Sequence, residues 1–366
     1  MTRGIRRDGR VDRLCLPVEE WPASDRDLWQ RSLVTSTTLF GEDGARAHLR
    51  PATNRAVAKG YGRWLHFLAS SDELDPSEPP GRRIVLDRVR LYVEHLKSAG
   101  NHGSTIAARL EELRAAAQVM DPAGDWDWLK RPAARLRAGS NPKRDKRERL
   151  VSAGDLLALG LQLMEKAAEQ RKPGHRLVNY RDGLMIAFLA LQPLRLKNLA
   201  GLVLGQTLVK AGGIWTVVFP ADQTKTHAPI EVTWPDTLVA PLERYLATIR
   251  LSLARRRRTS PIEAGDHLWI SAEGRPLSQK RVHNAIKLRT AEAFGKAINP
   301  HLARDIAATT LAIEDPLHVR AAAPVLGHAS LQTTEMHYQQ ATALQAQRAH
   351  ADVVARVRKG SRRRDE

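Results

Sequence analysis

The chain has 366 residues, 42% of them apolar, which is long for one domain and points to two, each able to bury its own core. A single cysteine, Cys15, excludes an intrachain disulfide framework, and no apolar run approaches the ~20 residues of a membrane span. With 58 Lys+Arg against 40 Asp+Glu, the net charge of +18 favours a polyanionic partner, nucleic acid above all, over an acidic or membrane-embedded one.

The opening MTRGIRRDGR has no hydrophobic segment behind it, so it does not read as a signal peptide, and residues 1–20 are expected to be a flexible segment of a soluble, cytoplasmic protein. In PATNRAVAKGYGRWLHFLAS, residues 51–70, Val57, Tyr61, Trp64, Leu65 and Leu68 fall on one helical face. Arg55, Lys59 and Arg63 fall on another, which suits either DNA contact or a solvated surface. A second helix is predicted at LDRVRLYVEHLKSAG, closed by Gly100, and a third after NHGST, with Ile106, Leu110, Leu113 and Ala117 at core spacing. The fourth, DWDWLKRPAARLRAG, is expected to be interrupted by Pro132. Residues 21–140 therefore read as a small all-helical domain.

Residues 141–150 carry turn formers and alternating charge without apolar periodicity and read as an interdomain linker. Its Lys143, Arg144, Lys146 and Arg147 either track phosphates or are simply solvated. From residue 151 the chain returns to helices at SAGDLLALGLQLMEKAAE and LVNYRDGLMIAFLALQP, the latter with Leu177, Tyr180, Leu184, Phe188 and Leu191 on one side. The period then changes. GIWTVVFP and PIEVTWP are β-branched and aromatic, with ADQTKTHA as the turn between them, so a small antiparallel sheet of three strands, starting near GQTLVKAG, is predicted inside a helical domain. Helices resume after Pro235, after Ser278, at HLARDIAATTLA and through the C-terminal third, including an amphipathic segment after residue 338 and a basic tail. The fold class is thus mainly α with a small antiparallel β-sheet.

Several chemistries lack their residues. There is no cysteine cluster and no HExxH for a metal, no P-loop or GxGxxG for a nucleotide, and no GxSxG elbow, so neither metal nor cofactor is expected. What remains is cationic. Arg195 ends an apolar helix in PLRLKNL, where it meets either an external anion or an internal carboxylate such as Asp182. Lys225 lies in the hairpin turn, with Lys197 and Lys210 nearby as competitors. His301 and Arg304 stand three apart in HLARD, and VLGHASLQTTEMHYQQA places His328 after Gly327 and ends near Tyr338. If these six converge, they suit phosphodiester cleavage without a metal. Two arginines would bind the non-bridging oxygens, a tyrosine would attack with a histidine taking its proton, and a lysine would protonate the leaving alkoxide.

In this order and spacing, Arg195, Lys225, His301, Arg304, His328 and Tyr338 resemble the tyrosine recombinase family, the phage-type integrases. The resemblance implies a SAM-like helical core-binding domain over residues 21–140, a mixed α/β catalytic domain over 151–345, and a C-terminal helix and basic tail over 346–366 that packs on a neighbouring subunit or on its own domain. It implies Arg195 and Arg304 as phosphate ligands, Lys225 as general acid, His301 as the proton-handling histidine, His328 as a second phosphate contact and Tyr338 as nucleophile. It further implies a site-specific recombinase of double-stranded DNA that forms a 3′-phosphotyrosyl intermediate, assembles as a homotetramer on two duplexes bearing specific recombination sites, and integrates, excises or transposes a mobile element. Accessory DNA-bending or directionality proteins would be partners, in a prokaryotic, nucleoid-associated setting. A non-catalytic DNA-binding relative and a type IB topoisomerase-like nicking enzyme are the alternatives. The sequence departs from the family pattern at Asn198, where an acidic residue is common, at Asp305, where histidine is common, and in a His328–Tyr338 interval one residue longer than usual.

Overall fold

The computed structural model describes residues 14–140, 151–225, 228–256 and 265–314, with side chains described through residue 310. The chain divides into two compact units, Met1–Arg144 and Asp145–Glu366, each with its own apolar core. The described residues are mostly helical, with one three-stranded antiparallel sheet among them.

The first unit comprises α1 (Ala23–Ser32), α2 (Pro51–Ser70), the short α3 (Pro80–Arg83), α4 (Leu86–Ser98), α5 (Gly103–Met120) and α6 (Lys130–Ala138). Helix α2 begins with proline at its first position and buries Val57, Tyr61, Trp64, Leu65 and Leu68, the face its periodicity dictates. Helix α4 stops before Gly100, whose φ of 74° is a conformation glycine adopts without penalty. Three features differ from expectation. Pro132 does not interrupt its helix, because it is the third residue of α6, where a backbone N–H would have no intrahelical acceptor. Residues 16–20 are not a loose leader: Leu16 and Val18 pack on the core, and the Trp21 indole donates to the Leu16 carbonyl at 3.1 Å. Helix α1, which has little apolar periodicity, is anchored by buried Trp29 and by Asp25, whose carboxylate accepts from Tyr61 and Arg83 at 2.6 Å each.

The second unit opens with α7 (Ala153–Glu165), started by a reciprocal capping box between Ser152 and Asp155, and α8 (Pro173–Leu191). Sequence periodicity gives α8 one apolar side. In the structure every residue from Tyr180 to Ala190 is buried, so α8 is the central helix of this core rather than an amphipathic one. It crosses α7 at Gly160, where an added Cβ would stand 2.5 Å from the Ala187 nitrogen and 2.7 Å from the Gly183 oxygen. Gly160→Ala should therefore destabilise this unit by about 1–3 kcal/mol through overpacking, read as a lower urea midpoint; an unchanged midpoint would mean that the two helices separate freely.

After α9 (Leu196–Ala200) come β1 (Leu208–Ala211), β2 (Ile214–Phe219) and β3 (Ile230–Thr233), in the spatial order β1-β2-β3. Val217 stands opposite Leu208 on one side and Val232 on the other, and Leu208, Val217 and Phe219 face the core. Trp234, just past β3, stacks on Phe188 of α8 with ring centroids 4.0 Å apart, which fixes the sheet to the central helix. The chain continues through α10 (Val239–Arg244), a π-helical turn at Tyr245–Arg250 and α11 (Leu251–Ala254), then α12 (Gln279–Phe294) and α13 (Pro300–Glu314).

Candidate active site

Helix α8 ends because Pro193 has no N–H to continue it, and the chain turns sharply: the Leu194 N–H donates to the Gln192 carbonyl at 2.7 Å. Arg195 follows in an extended conformation as the N-cap of α9, and its carbonyl accepts from Asn198 and Leu199 at 2.9 Å each. The side chain of Arg195 is thus launched from a rigid corner on the end of the core helix.

Arg304 reaches the same corner from α13, whose first turn is organised by Pro300 and by the Asn299 side chain, which accepts from the Leu302 N–H at 2.8 Å. Arg304 is 6% exposed, and its Nη1 donates to the Pro193 carbonyl at 2.5 Å, linking residues 111 positions apart. Burial first, and then the positive charge of Arg195, push the Arg304 pKa down to about 10, while Asp305 opposes them. Burial also lowers the pKa of Arg195. Both remain cations at neutral pH. Two guanidinium groups that repel each other in a partly dry corner form a site that an anion relieves, and phosphate oxygens match the guanidinium fork.

Two further residues belong to this corner that sequence reasoning noted only as departures. Asn198 is 3% exposed, and its buried Nδ2 has no hydrogen-bond partner among the described residues. Asp305 is buried and supplies the negative charge that Arg304 senses.

The internal carboxylate weighed for Arg195 is engaged elsewhere. Asp182 accepts from Arg181 Nη2 at 2.6 Å and from Arg289 Nε at 3.1 Å, and Arg181 also donates to the Ile270 carbonyl at 2.7 Å. This triad, with Arg181 and Asp182 buried and Arg289 partly exposed, braces α8 against α12.

Lys225 lies in the loop between β2 and β3, exposed, beside a fully buried Thr224 whose hydroxyl donates to the Ala221 and Ala228 carbonyls at 3.0 and 2.7 Å. The two competing lysines are both engaged. Lys210 pairs with Glu243 at 2.6 Å and lies over the Trp215 ring, and Lys197 donates to the Gln223 carbonyl at 3.1 Å. The Lys197 contact ties α9, and with it the Arg195 corner, to the loop that carries Lys225. His301 is exposed in the first turn of α13, one helical turn before Arg304.

His328 and Tyr338 lie outside the described residues, as do Lys143, Arg144, Lys146 and Arg147. In the helical unit, Arg55 and Lys59 are exposed, whereas Arg63 is half-buried 3.8 Å from Glu112, a carboxylate that Arg109 also holds. Arg63 is thus set apart from the other two. Among the described residues no cluster of His, Cys, Asp and Glu could hold a metal ion, and no helix is long and apolar enough to cross a membrane.

The phage integrase family model matches residues 161–345, a span that contains both arginines, Lys225, His301, His328 and Tyr338. A tyrosine recombinase XerD of Halalkalibacterium halodurans is 25% identical over 299 residues, covering 79% of this chain and 88% of that protein. A XerD of Staphylococcus saprophyticus is 27% identical over 179 residues, covering 48% of this chain and 56% of that protein. Among solved structures, the XerH site-specific recombinase in a post-cleavage complex with palindromic difH substrate aligns over 92% of this chain and 98% of that one, at 15% identity and a TM-score of 0.55. The Tn1549 transposon integrase bound to circular intermediate DNA aligns over 85% and 94%, at 14% identity and a TM-score of 0.51.

Proposed function

Since the chain belongs to the phage integrase family of tyrosine recombinases, we propose that it is an active site-specific recombinase that breaks and rejoins double-stranded DNA through a 3′-phosphotyrosyl intermediate. What carries the reading is the meeting of Arg195 and Arg304 at the Pro193 corner, where burial and mutual repulsion favour a bound phosphodiester.

In the reaction, both guanidinium groups bind the non-bridging oxygens of one phosphodiester, and His328 adds a contact. The Tyr338 oxygen attacks phosphorus as His301 takes the phenolic proton; the bond from phosphorus to the 5′ oxygen breaks, and Lys225 protonates the departing alkoxide. A free 5′-hydroxyl and a 3′-phosphotyrosine result. Attack by the 5′-hydroxyl of a second duplex reverses the steps and exchanges strands. The two arginines contribute where charge develops, at oxygens they already hold, so little reorganisation is needed. The helical unit serves as the core-binding domain, with Arg55 and Lys59 on phosphates, and the linker residues Lys143, Arg144, Lys146 and Arg147 follow the backbone. Four copies on two duplexes carry out integration, excision or transposition of a mobile element.

The test is covalent capture. Incubated with a fragment library of nicked duplexes that lose the 5′-hydroxyl strand on cleavage, the protein should become linked to DNA at Tyr338, identifiable by mass spectrometry, and sequencing the linked DNA gives the site. Tyr338→Phe should abolish the adduct. The same adduct from the phenylalanine variant would place the nucleophile elsewhere.

A further inference from the structure

Leu39 and Phe40 are 90% and 95% exposed, the most exposed large apolar side chains of the described residues, and they stand side by side. They sit at the tip of a built loop. Its base is closed by Gly44 N–H donating to the Val34 carbonyl and Arg46 N–H to the Ser32 carbonyl, both at 2.8 Å, and Ser36 N–H donates to Asp43 Oδ1 at 2.7 Å. A Cβ at Gly41 would stand 2.0 Å from the Ser36 hydroxyl, and one at Gly44 would stand 2.5 Å from the Ser32 carbonyl oxygen, so the loop folds tightly on itself and pushes its apolar tip outward. Directly behind the tip come Glu42 and Asp43, both exposed, an acidic pair in a strongly basic chain.

The same unit carries a complementary hollow. A groove of about 510 Å³ lies between α4 and α6, floored by Val89, Val93, Leu110 and Trp128 and rimmed by Arg131 and Arg135. That volume falls within the range of roughly 300–1,000 Å³ typical of ligand pockets. The other charges lining it are neutralised, Arg90 by Asp87 at 3.2 Å and Glu94 by Lys97 at 2.7 Å. Arg131 and Arg135 have no carboxylate or hydrogen-bond partner among the described residues.

We propose that the Leu39–Phe40 tip of one copy of this chain seats in the α4–α6 groove of a second copy, with Glu42 and Asp43 facing Arg131 and Arg135. The tip cannot be filling its own groove, because both of its side chains are solvent-exposed. The floor offers nothing to a phosphate backbone, and the terminal stretches MTRGIRRDGR and RKGSRRR are basic like the rim, so neither DNA nor those two stretches match it, whereas Glu42 and Asp43 do. Knob and groove are different surfaces, so the contact is heterologous: each copy gives a knob to one neighbour and a groove to another, the geometry of rings. Two side chains bury far less than the roughly 1,200 Å² of a stable interface, so the contact adds cooperativity between copies held close on one duplex rather than a lasting dimer in free solution.

Disulfide trapping tests this in the full chain, because oxidation accumulates even transient contacts. In a Cys15→Ser background, one batch carries Phe40→Cys and the other Val93→Cys; the two are mixed and mildly oxidised, free and on a long duplex of arbitrary sequence. A linked heterodimer should form, with higher yield on the duplex. Arg131→Glu in the groove copy should lower the yield several-fold, and Glu42→Lys in the knob copy should restore it. No mixed product in either condition overturns the proposal, as does a yield no greater than that of Phe40→Cys against Ser70→Cys, or an equal yield from Phe40→Cys alone. Tyr338 takes no part in this assay, so its outcome is independent of whether the chain cleaves DNA.

Discussion

Replacing Arg304 by alanine is expected to slow covalent capture of DNA about 10²- to 10³-fold, the effect of removing one preorganised donor from developing charge. Arg304 is held in place before any substrate arrives: it is buried, and Nη1 is fixed to the Pro193 carbonyl at 2.5 Å. Lysine should restore little of the rate, because a point charge cannot reproduce the planar fork that engages two phosphate oxygens. Stability should behave differently. The guanidinium is cationic in a buried position beside Arg195, which lowers its pKa, so its removal relieves desolvation and repulsion while losing the link to Pro193. The unfolding midpoint of the alanine variant should therefore stay close to that of the parent. A collapse of the midpoint in step with the lost activity would make Arg304 a structural clamp instead.

The second large effect lies in the helical unit, where Asp25→Ala should destabilise the fold by about 3–5 kcal/mol, the typical result of stranding one partner of a buried ion pair. The side chains of Asp25 and Arg83 are both fully buried, and Arg83 also donates to the Asp75 and Glu78 carbonyls, so it cannot follow solvent when its counter-ion is lost. The Tyr61 hydroxyl loses its acceptor too. Burial first and the Asp25 charge second raise its pKa well above the usual tyrosine value, so it is a neutral donor at 2.6 Å from the carboxylate. Hydrogen exchange should show the loss in peptides of α1, α2 and α3, which meet at this carboxylate, with protection across residues 151–225 unchanged. Uniform loss in both units would mean that they unfold together.

Much of this architecture follows from local pattern. The apolar spacing in residues 51–70, the alternation through Ile230, Val232 and Trp234, and the glycine after α4 each report a local preference that tertiary packing did not override. What pattern missed depends on distant partners. Helix α1 is polar by composition and is recruited by Trp29 and by a carboxylate that meets an arginine 58 positions away. Helix α8 reads as one-sided because period reports where apolar residues recur, whereas its polar members, Arg181 and Asp182, satisfy each other inside the core. In the candidate site, residue types and order nominated six positions, of which the described residues bring Arg195 and Arg304 together, but periodicity held no sign that Pro193 would offer its carbonyl to Arg304, or that Lys197 would tie α9 to the Lys225 loop. Nor could charge counting separate exposed Arg55 and Lys59 from Arg63, which Glu112 holds half-buried.

The most direct measurement is a double-mutant cycle on the two corner arginines, read as the rate of covalent capture on one nicked duplex for Arg195→Ala, Arg304→Ala and both together. Groups that act as a unit on the same phosphorus lose most of their effect once either is gone, so the double variant should fall about as far as the worse single one. Losses that multiply across the two substitutions would mean that Arg195 and Arg304 serve separate ends, and the shared phosphate would be lost from the account.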